Sequence, residues 1–148
     1  DLCTGNAPVP LFLSLRSKNA HITGVEIQEM SYDLATRNVA VNGLEDRIKI
    51  VQGDLKGIHE KLGKYAHDVY FKVNPDSNLN KNDYLTIARH EVLATLDDVV
   101  KEASLLLKQG GRFAMVHRPD RLIDIIETFR KYKIEPKRMR LVYQCAFN

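Results

Sequence analysis

Three acidic residues stand where an α/β sheet would do chemistry. Asp1 opens the run Asp1-Leu2-Cys3-Thr4-Gly5-Asn6, Glu26 closes Gly24-Val25-Glu26, and Asp54 lies between Gly53 and Leu55 after an alternating stretch. An acid, a glycine-containing turn, an apolar helix and a second strand ending in a carboxylate form a holder for an adenosine-containing cofactor. The glycine lets the backbone approach the ligand, and the carboxylate about 20 residues on takes the ribose hydroxyls. The third acid separates the options. A nicotinamide dinucleotide site has no routine need of an acid after its third strand. A site for S-adenosylmethionine places one there to accept a hydrogen bond from the adenine amino group. Gly5 is the only glycine before Gly24, so no G-x-G-x-x-G cradle for a diphosphate exists, and there is no Walker A lysine. The plain alternative is that acids at strand ends cap helices, Asp54 capping the one after it.

These positions demand a particular set of elements. Residues 8–15 read as the first turns of a helix and 21–26 as a short buried strand. Residues 28–42 read as a helix with Met30, Leu34, Val39 and Val41 apolar and Gly43 as its stop. Residues 47–52 alternate as a third strand, 55–63 form a short helix or turn, and 65–69 begin a fourth strand. A polar loop is expected over 70–82, then the longest helix over 84–108, ended by Gln109-Gly110-Gly111. Residues 112–117 read as a fifth strand buried on both faces and 138–143 as a sixth. Between them, 120–133 form an amphipathic helix with Leu122, Ile123, Ile126 and Phe129 inward. The alternation predicts a doubly wound, Rossmann-like, mostly parallel α/β sheet in a single domain over residues 1–148, lacking the start of its first strand.

Composition narrows the partners. At 44% hydrophobic and 28% charged residues, the chain is an ordinary globular one with a sizeable core. No run approaches the roughly 18 apolar residues of a membrane span, and no signal or lipidation pattern is visible. Cys3 and Cys145 lie far apart without CxxC spacing, which fits reduced thiols in a cytoplasmic protein. The five histidines show no ligand spacing, so no metal is expected. With a net charge of only +3, any nucleic-acid argument rests on clustering. Arg130, Lys131, Lys133, Lys137, Arg138 and Arg140 crowd one short span, with Tyr132 and Tyr143 interleaved. Such a patch holds RNA phosphates, or is a solvated helix end where cations favour the dipole.

The stretches DLCTGNAPVPLFLSLRSK, GVEIQEMSYDLATRNVAVNGLEDRI, VQGDLKG, ARHE (residues 88–91) and LLKQGGRFAMVHRPDRLIDII resemble class I S-adenosylmethionine-dependent methyltransferases. More narrowly, the chain is similar to the bacterial tRNA (adenine-N6)-methyltransferase family that modifies the anticodon loop of a valine tRNA. The resemblance covers nearly the whole chain. GVEIQ, ARHE and VHRP are specific to that family, and GGRF is generic to the superfamily. It implies that Asp1, Gly5 and Asn6, in one turn with Cys3 and Thr4, contact the methionine end of the cofactor. It implies further that Glu26 takes the ribose, that Ile27 packs on the adenine, and that Asp54, beside Gly53 and Leu55, reads the adenine edge. The implied activity is methyl transfer from S-adenosylmethionine to adenine N6 in tRNA.

Two departures from the family stand out. Ala7 sits where a third glycine is usual. At the fourth strand the family has Asp-Val, a few apolar residues and Asn-Pro-Pro-Tyr, whereas here Asp68-Val69 runs straight into Tyr70-Phe71. Tyr70 and Phe71 then represent the tail of the catalytic motif, a stretch being omitted between Val69 and Tyr70, and Asn74-Pro75 is an ordinary loop turn. The loss touches the chemistry. An exocyclic amine is a poor nucleophile because its lone pair is delocalised into the ring. An Asn side-chain oxygen and a Pro carbonyl accept its N–H groups, and an aromatic ring stacks the extruded base. The rivals are a methyltransferase for ribosomal RNA guanine or protein glutamine, a cofactor-binding but inactive RNA-binding module, and a nicotinamide-dependent enzyme. The family's sheet closes with a seventh, antiparallel strand, of which residues 145–148 are the expected beginning.

Overall fold

Parallel strands alternate with helices throughout. The computed structural model describes residues 1–73 and 94–142, with 70–73 by backbone alone. In chain order the elements are α1 (Pro8–Arg16), β1 (Ile22–Glu26), α2 (Glu29–Val41), β2 (Ile48–Gln52), α3 (Ile58–Leu62) and β3 (His67–Val73). They continue with α4 (Leu96–Leu106), β4 (Leu107–Val116), a 3-10 turn (Pro119–Arg121) and α5 (Leu122–Lys131).

β1 pairs in parallel with β2, from Ile22 opposite Ile48 to Glu26 opposite Gln52. β3 pairs in parallel with β4, from Val69 opposite Arg112 to Val73 opposite Val116. The opening residues add a partner to β1: Leu2 makes a parallel bridge to Val25. Val25 N–H donates to Asp1 O and Thr4 N–H donates to Val25 O, both at 2.9 Å. Val25 also faces Val51 of β2, so the opening segment lies along the other edge of β1. The turns that follow the opening segment, β1 and β2 therefore emerge together at the carboxyl end of the sheet, where open α/β sheets bind ligands.

One core cluster ties these parts together. It comprises Leu2, Val25, Leu55, Ile58, Val99, Ala103, Leu106 and Leu107. Residues 99, 103 and 106 recur at helical spacing, so α4 presents one apolar stripe to the opening segment, β1 and the loop after β2. Each fully buried Leu, Ile or Val in such a cluster contributes about 1.5–3 kcal/mol.

Several elements differ from their sequence expectation, each for a visible reason. In the expected helix over 84–108, the described part begins at Leu96. Thr95 caps it: Asp98 N–H donates to the Thr95 hydroxyl at 3.2 Å, and Thr95 N–H donates to the Asp98 carboxylate at 2.9 Å. At its other end α4 stops at Leu106, not Lys108, because Leu107 already pairs with His67. Residues 108–111 bulge before the ladder resumes at Arg112. A Cβ on Gly111 would lie 2.9 Å from Lys108 O and 3.3 Å from Asp68 O, so only glycine lets the bulge close.

Residues 70–73 extend β3 in place of the expected loop, because the ladder with β4 continues through them. β4 is not buried on both faces: Phe113, Ala114 and Met115 are half-buried, while Arg112 and Val116 are exposed. On α2 the buried face is Ser31, Ala35 and Val39. Met30, Leu34 and Val41 point outward, since small side chains let this helix lie close to the strands. Ile123 is 72% exposed, so the inner face of α5 is Leu122, Ile125, Ile126 and Phe129. Phe129 meets Phe113 with ring centroids 5.1 Å apart. Residues 138–142 form no strand and are exposed. The remainder of the loop to residue 82, the ARHE run and Tyr143 onward lie outside the described residues.

Candidate functional site

The opening turn is wound by alternate left-handed residues: Cys3 at φ 56°, Gly5 at φ 56° and Ala7 at φ 66°. Thr4 hydroxyl donates to the Asp1 carboxylate at 2.8 Å, and Ala7 N–H donates to Thr4 O at 3.0 Å. Gly5 adopts its conformation freely. Ala7, where the family resemblance expects glycine, holds the same left-handed geometry at about 1–2 kcal/mol of strain and is wholly buried. Pro8 then starts α1.

Glu26 ends β1 and is 6% exposed. Its Oε2 accepts Gly5 N–H at 2.8 Å, and its Oε1 accepts Ile27 N–H at 3.0 Å and Gln28 N–H at 2.9 Å. The carboxylate thus stitches the opening turn to the start of α2. Three of its roughly four acceptor positions are filled and one is open. Glu26 O also accepts Gly53 N–H at 3.0 Å, which fixes the end of β2 beside it.

Asp54 is exposed. Its Oδ1 accepts Lys56 N–H at 2.9 Å, closing a turn on itself, and Oδ2 has no partner among the described residues. The alternative role, capping α3, falls to a residue far away in sequence. Glu102 of α4, 3% exposed, accepts Gly57 N–H at 2.9 Å and His59 N–H at 3.3 Å, and His59 Nδ1 lies 2.8 Å from its Oε2.

A shallow, open cleft lies over these turns, and Cys3, Ile27, Gly53, Asp54 and Leu55 line it, with Val25 and Ala94. Five of the ten expected cofactor residues therefore share one concavity. Asp1, Thr4, Gly5, Asn6 and Glu26 do not line it. Asp1, Thr4, Gly5 and Glu26 bond one another or the backbone behind it, and Asn6 is exposed, its carbonyl accepting Asn38 Nδ2–H at 2.9 Å. Tyr70 and Phe71 continue β3, opposite Phe113 and Ala114 of β4.

Arg130, Lys131, Lys133, Lys137, Arg138 and Arg140 are all exposed. Lys131 is nevertheless committed to the fold. Its ammonium donates to Asp97 Oδ1 at 2.5 Å, and Tyr132 hydroxyl donates to Asp97 Oδ2 at 2.6 Å. The hydrogen bonds from Lys131 and Tyr132 hold the Asp97 carboxyl below its ordinary value, and the bond to Asp97 raises Lys131. His117-Arg118 at the end of β4 turns to a neighbour, Arg118 pairing with Asp120 at 3.0 Å. Among the described residues no cluster of metal-ligating side chains occurs, and no helix is long and apolar enough to cross a membrane.

Sequence reasoning passed over Glu102. Its signal was present: residue 102 lies three after Val99 and four before Leu106, on the buried stripe of α4. An acid on such a stripe must find donors.

Comparison with known proteins agrees with this geometry. No family model matches the chain. It is 31% identical over 144 residues to the tRNA1(Val) (adenine(37)-N6)-methyltransferase of Porphyromonas gingivalis, covering 94% of this chain and 56% of that protein. Over 69 residues it is 35% identical to the ribosomal protein uL3 glutamine methyltransferase of Bordetella pertussis, covering 47% of this chain and 22% of that one. The chain thus spans about half the length of the first of these and about a fifth of the second. Among solved structures, a predicted O-methyltransferase from Agrobacterium tumefaciens superposes with a TM-score of 0.67 at 17% identity, covering 87% of this chain and 58% of that one. The two parallel strand pairs, the carboxyl-end cleft and these likenesses converge: the chain has the class I methyltransferase fold, and its sequence resembles the tRNA (adenine-N6)-methyltransferases.

Proposed function

We propose that the chain binds S-adenosylmethionine in the cleft and serves a methyltransferase that modifies an exocyclic amine of a nucleic-acid base, adenine N6 of a tRNA. One observation carries this reading. Asp54 offers an open carboxylate oxygen on the rim of an apolar cleft that Ile27, Gly53 and Leu55 share. That is an acceptor for an adenine amino group beside walls suited to the ring. Glu26, behind the lining residues and with one acceptor position left, is proposed to take a ribose hydroxyl, and the turn Asp1 to Asn6 to flank the methionine end. When bound, the cofactor supplies an electrophilic methyl on a sulfonium sulfur. The protein's own part is to hold the adenosine and to place the acceptor amine in line, and positioning of that kind provides much of the rate. Tyr70 and Phe71 are the residues proposed to stack the extruded base. Arg130, Lys133, Lys137, Arg138 and Arg140 are proposed to hold tRNA phosphates, with affinity that falls steeply as salt rises. A tRNA substrate would place the activity in the cytoplasm. The Porphyromonas relative supports the acceptor.

Calorimetry with S-adenosylmethionine and with NAD tests the cofactor: heat with the first and none with the second is expected, and the reverse overturns the reading. Asp54→Ala is expected to weaken cofactor binding about tenfold or more, as loss of a hydrogen bond to a charged group does. Transfer of a tritiated methyl to unmodified total tRNA then tests the activity.

A second reading has its own observation. β3 runs unbroken from Val69 into Tyr70 with no Asn-Pro-Pro before the aromatic pair, which favours a cofactor-binding RNA module without transfer. Cofactor heat without tritium incorporation would select it. Likeness to the Bordetella enzyme makes a glutamine peptide, alongside ribosomal RNA, the substrate to include in the same assay.

A further inference from the structure

We infer that Glu102 is a positioning residue that sets where Asp54 meets the adenine edge, an inference that rests on the reading of Asp54 given above. The segment between β2 and α3 is anchored at both ends. At one end Gly53 N–H donates to Glu26 O at 3.0 Å. At the other, Gly57 N–H donates to Glu102 Oε1 at 2.9 Å. Between the anchors, Asp54 closes its own turn on Lys56 N–H, so the carboxylate direction follows from where the two anchors stand. α3 is five residues long and its N-cap Gly57, at φ 76°, offers no side-chain cap. Of the donors at its start, Ile58 N–H meets Leu55 O and Glu60 N–H meets Gly57 O, while Gly57 N–H and His59 N–H meet Glu102, which also contacts His59 Nδ1.

The packing gives the carboxylate its leverage. Leu55 and Ile58, on either side of Gly57, share the core cluster with Val99, Ala103 and Leu106 of α4. Glu102 sits among those three on the same stripe. An apolar residue there would bury at no electrostatic cost, whereas a carboxylate is tolerated only because three donors converge on it. Its effect is to fix the height of the loop over α4 by directed bonds, which packing alone would leave free to slide. Readout of a single amino group depends on placement to a fraction of an ångström.

The test uses the full chain and two probes, S-adenosylhomocysteine and its analogue lacking the 6-amino group of the purine. Wild type is expected to prefer the amino form about tenfold or more. Glu102→Gln keeps the size of the side chain but can no longer accept from every donor, and the preference is expected to fall to about threefold or less, while the analogue still binds. Val100→Ala, a fully buried position of α4 outside the cluster with Leu55, is expected to lower thermal stability and leave the preference intact, which separates positioning from loss of fold. If wild type shows no preference, the reading of Asp54 fails and this inference with it. If wild type prefers the amino form and a folded Glu102→Gln keeps that preference, the positioning role alone is overturned. Should Glu102→Gln not fold, His59→Ala decides the matter: it removes the ring contact only, a reduced preference is expected, and an unchanged one overturns the inference.

Discussion

Glu26 concentrates more of the site than any other side chain. Three main-chain N–H groups from Gly5, Ile27 and Gln28 end on it, so Glu26→Ala would leave them without a protein acceptor. With about 1–3 kcal/mol lost for a buried unsatisfied group, and water reaching some of them, we expect about 2–4 kcal/mol of destabilisation in urea unfolding. Glu26→Gln, which retains one carbonyl oxygen, is expected to lose about half as much. Ala7 sets two effects of similar size against each other. Relief of left-handed strain in Ala7→Gly would contribute about 1 kcal/mol, and the lost buried methyl costs about 0.8 kcal/mol, so the unfolding midpoint should hardly move. At this scale the positions of Glu26 and Asp54 at the ends of β1 and β2 were legible in the sequence, because the alternating residues before them mark a strand. Glu102 was not, since its role depends on donors 43 and 45 residues away.

Among the elements, α4 serves as the keel. It carries the apolar stripe, Glu102 on its inner face, and a capping box at its start. Thr95→Ala removes that cap and should cost about 1 kcal/mol, seen as a lower unfolding midpoint with an unchanged denaturant slope. The elements around the cleft, α1, β1, α2 and β2, were readable to within a residue or two from alternation, proline and glycine. The start of α4 was harder, because Thr95-Leu96-Asp97-Asp98 lies within a longer helix-permissive run and only the reciprocal bonds reveal the break. The expected strand over 138–143 fails in its described part for another reason. Alternating residues make a strand only where an edge is available to pair with, and Met139, Leu141 and Val142 find none among the described residues.

For the molecule as a whole, His67 and Asp97 are two of the groups that shape the pH response. His67, at the start of β3, has a buried Nε2 without a partner, and burial lowers its pKa from the ordinary 6.5. The unfolded chain therefore takes up the proton first. Stability should be fully present above 6.5 and fall as pH drops through the window just below it, and His67→Gln should flatten that part of the profile. Asp97 acts further into acid. Its carboxyl is held low by Lys131 and Tyr132, so its contribution is present above the ordinary carboxylate range and is lost as pH falls through the lowered value. It is exposed enough for the effect to be small. Urea midpoints of wild type, His67→Gln and Asp97→Asn across about pH 3 to 8 would check both windows.

The turns beneath the cleft are held by carboxylates gripping main-chain N–H groups: Gly5, Ile27 and Gln28 by Glu26, and Gly57 by Glu102. Such grips ignore the identity of the side chain at the gripped position and ask only that an amide hydrogen be there. The scaffold is therefore blind to most substitutions at Ile27 and Gln28 and intolerant of proline, which has no hydrogen to offer. A cleft built this way can drift widely in sequence while its outline stays put, and the residues that touch a ligand are left free to change what the cleft recognises.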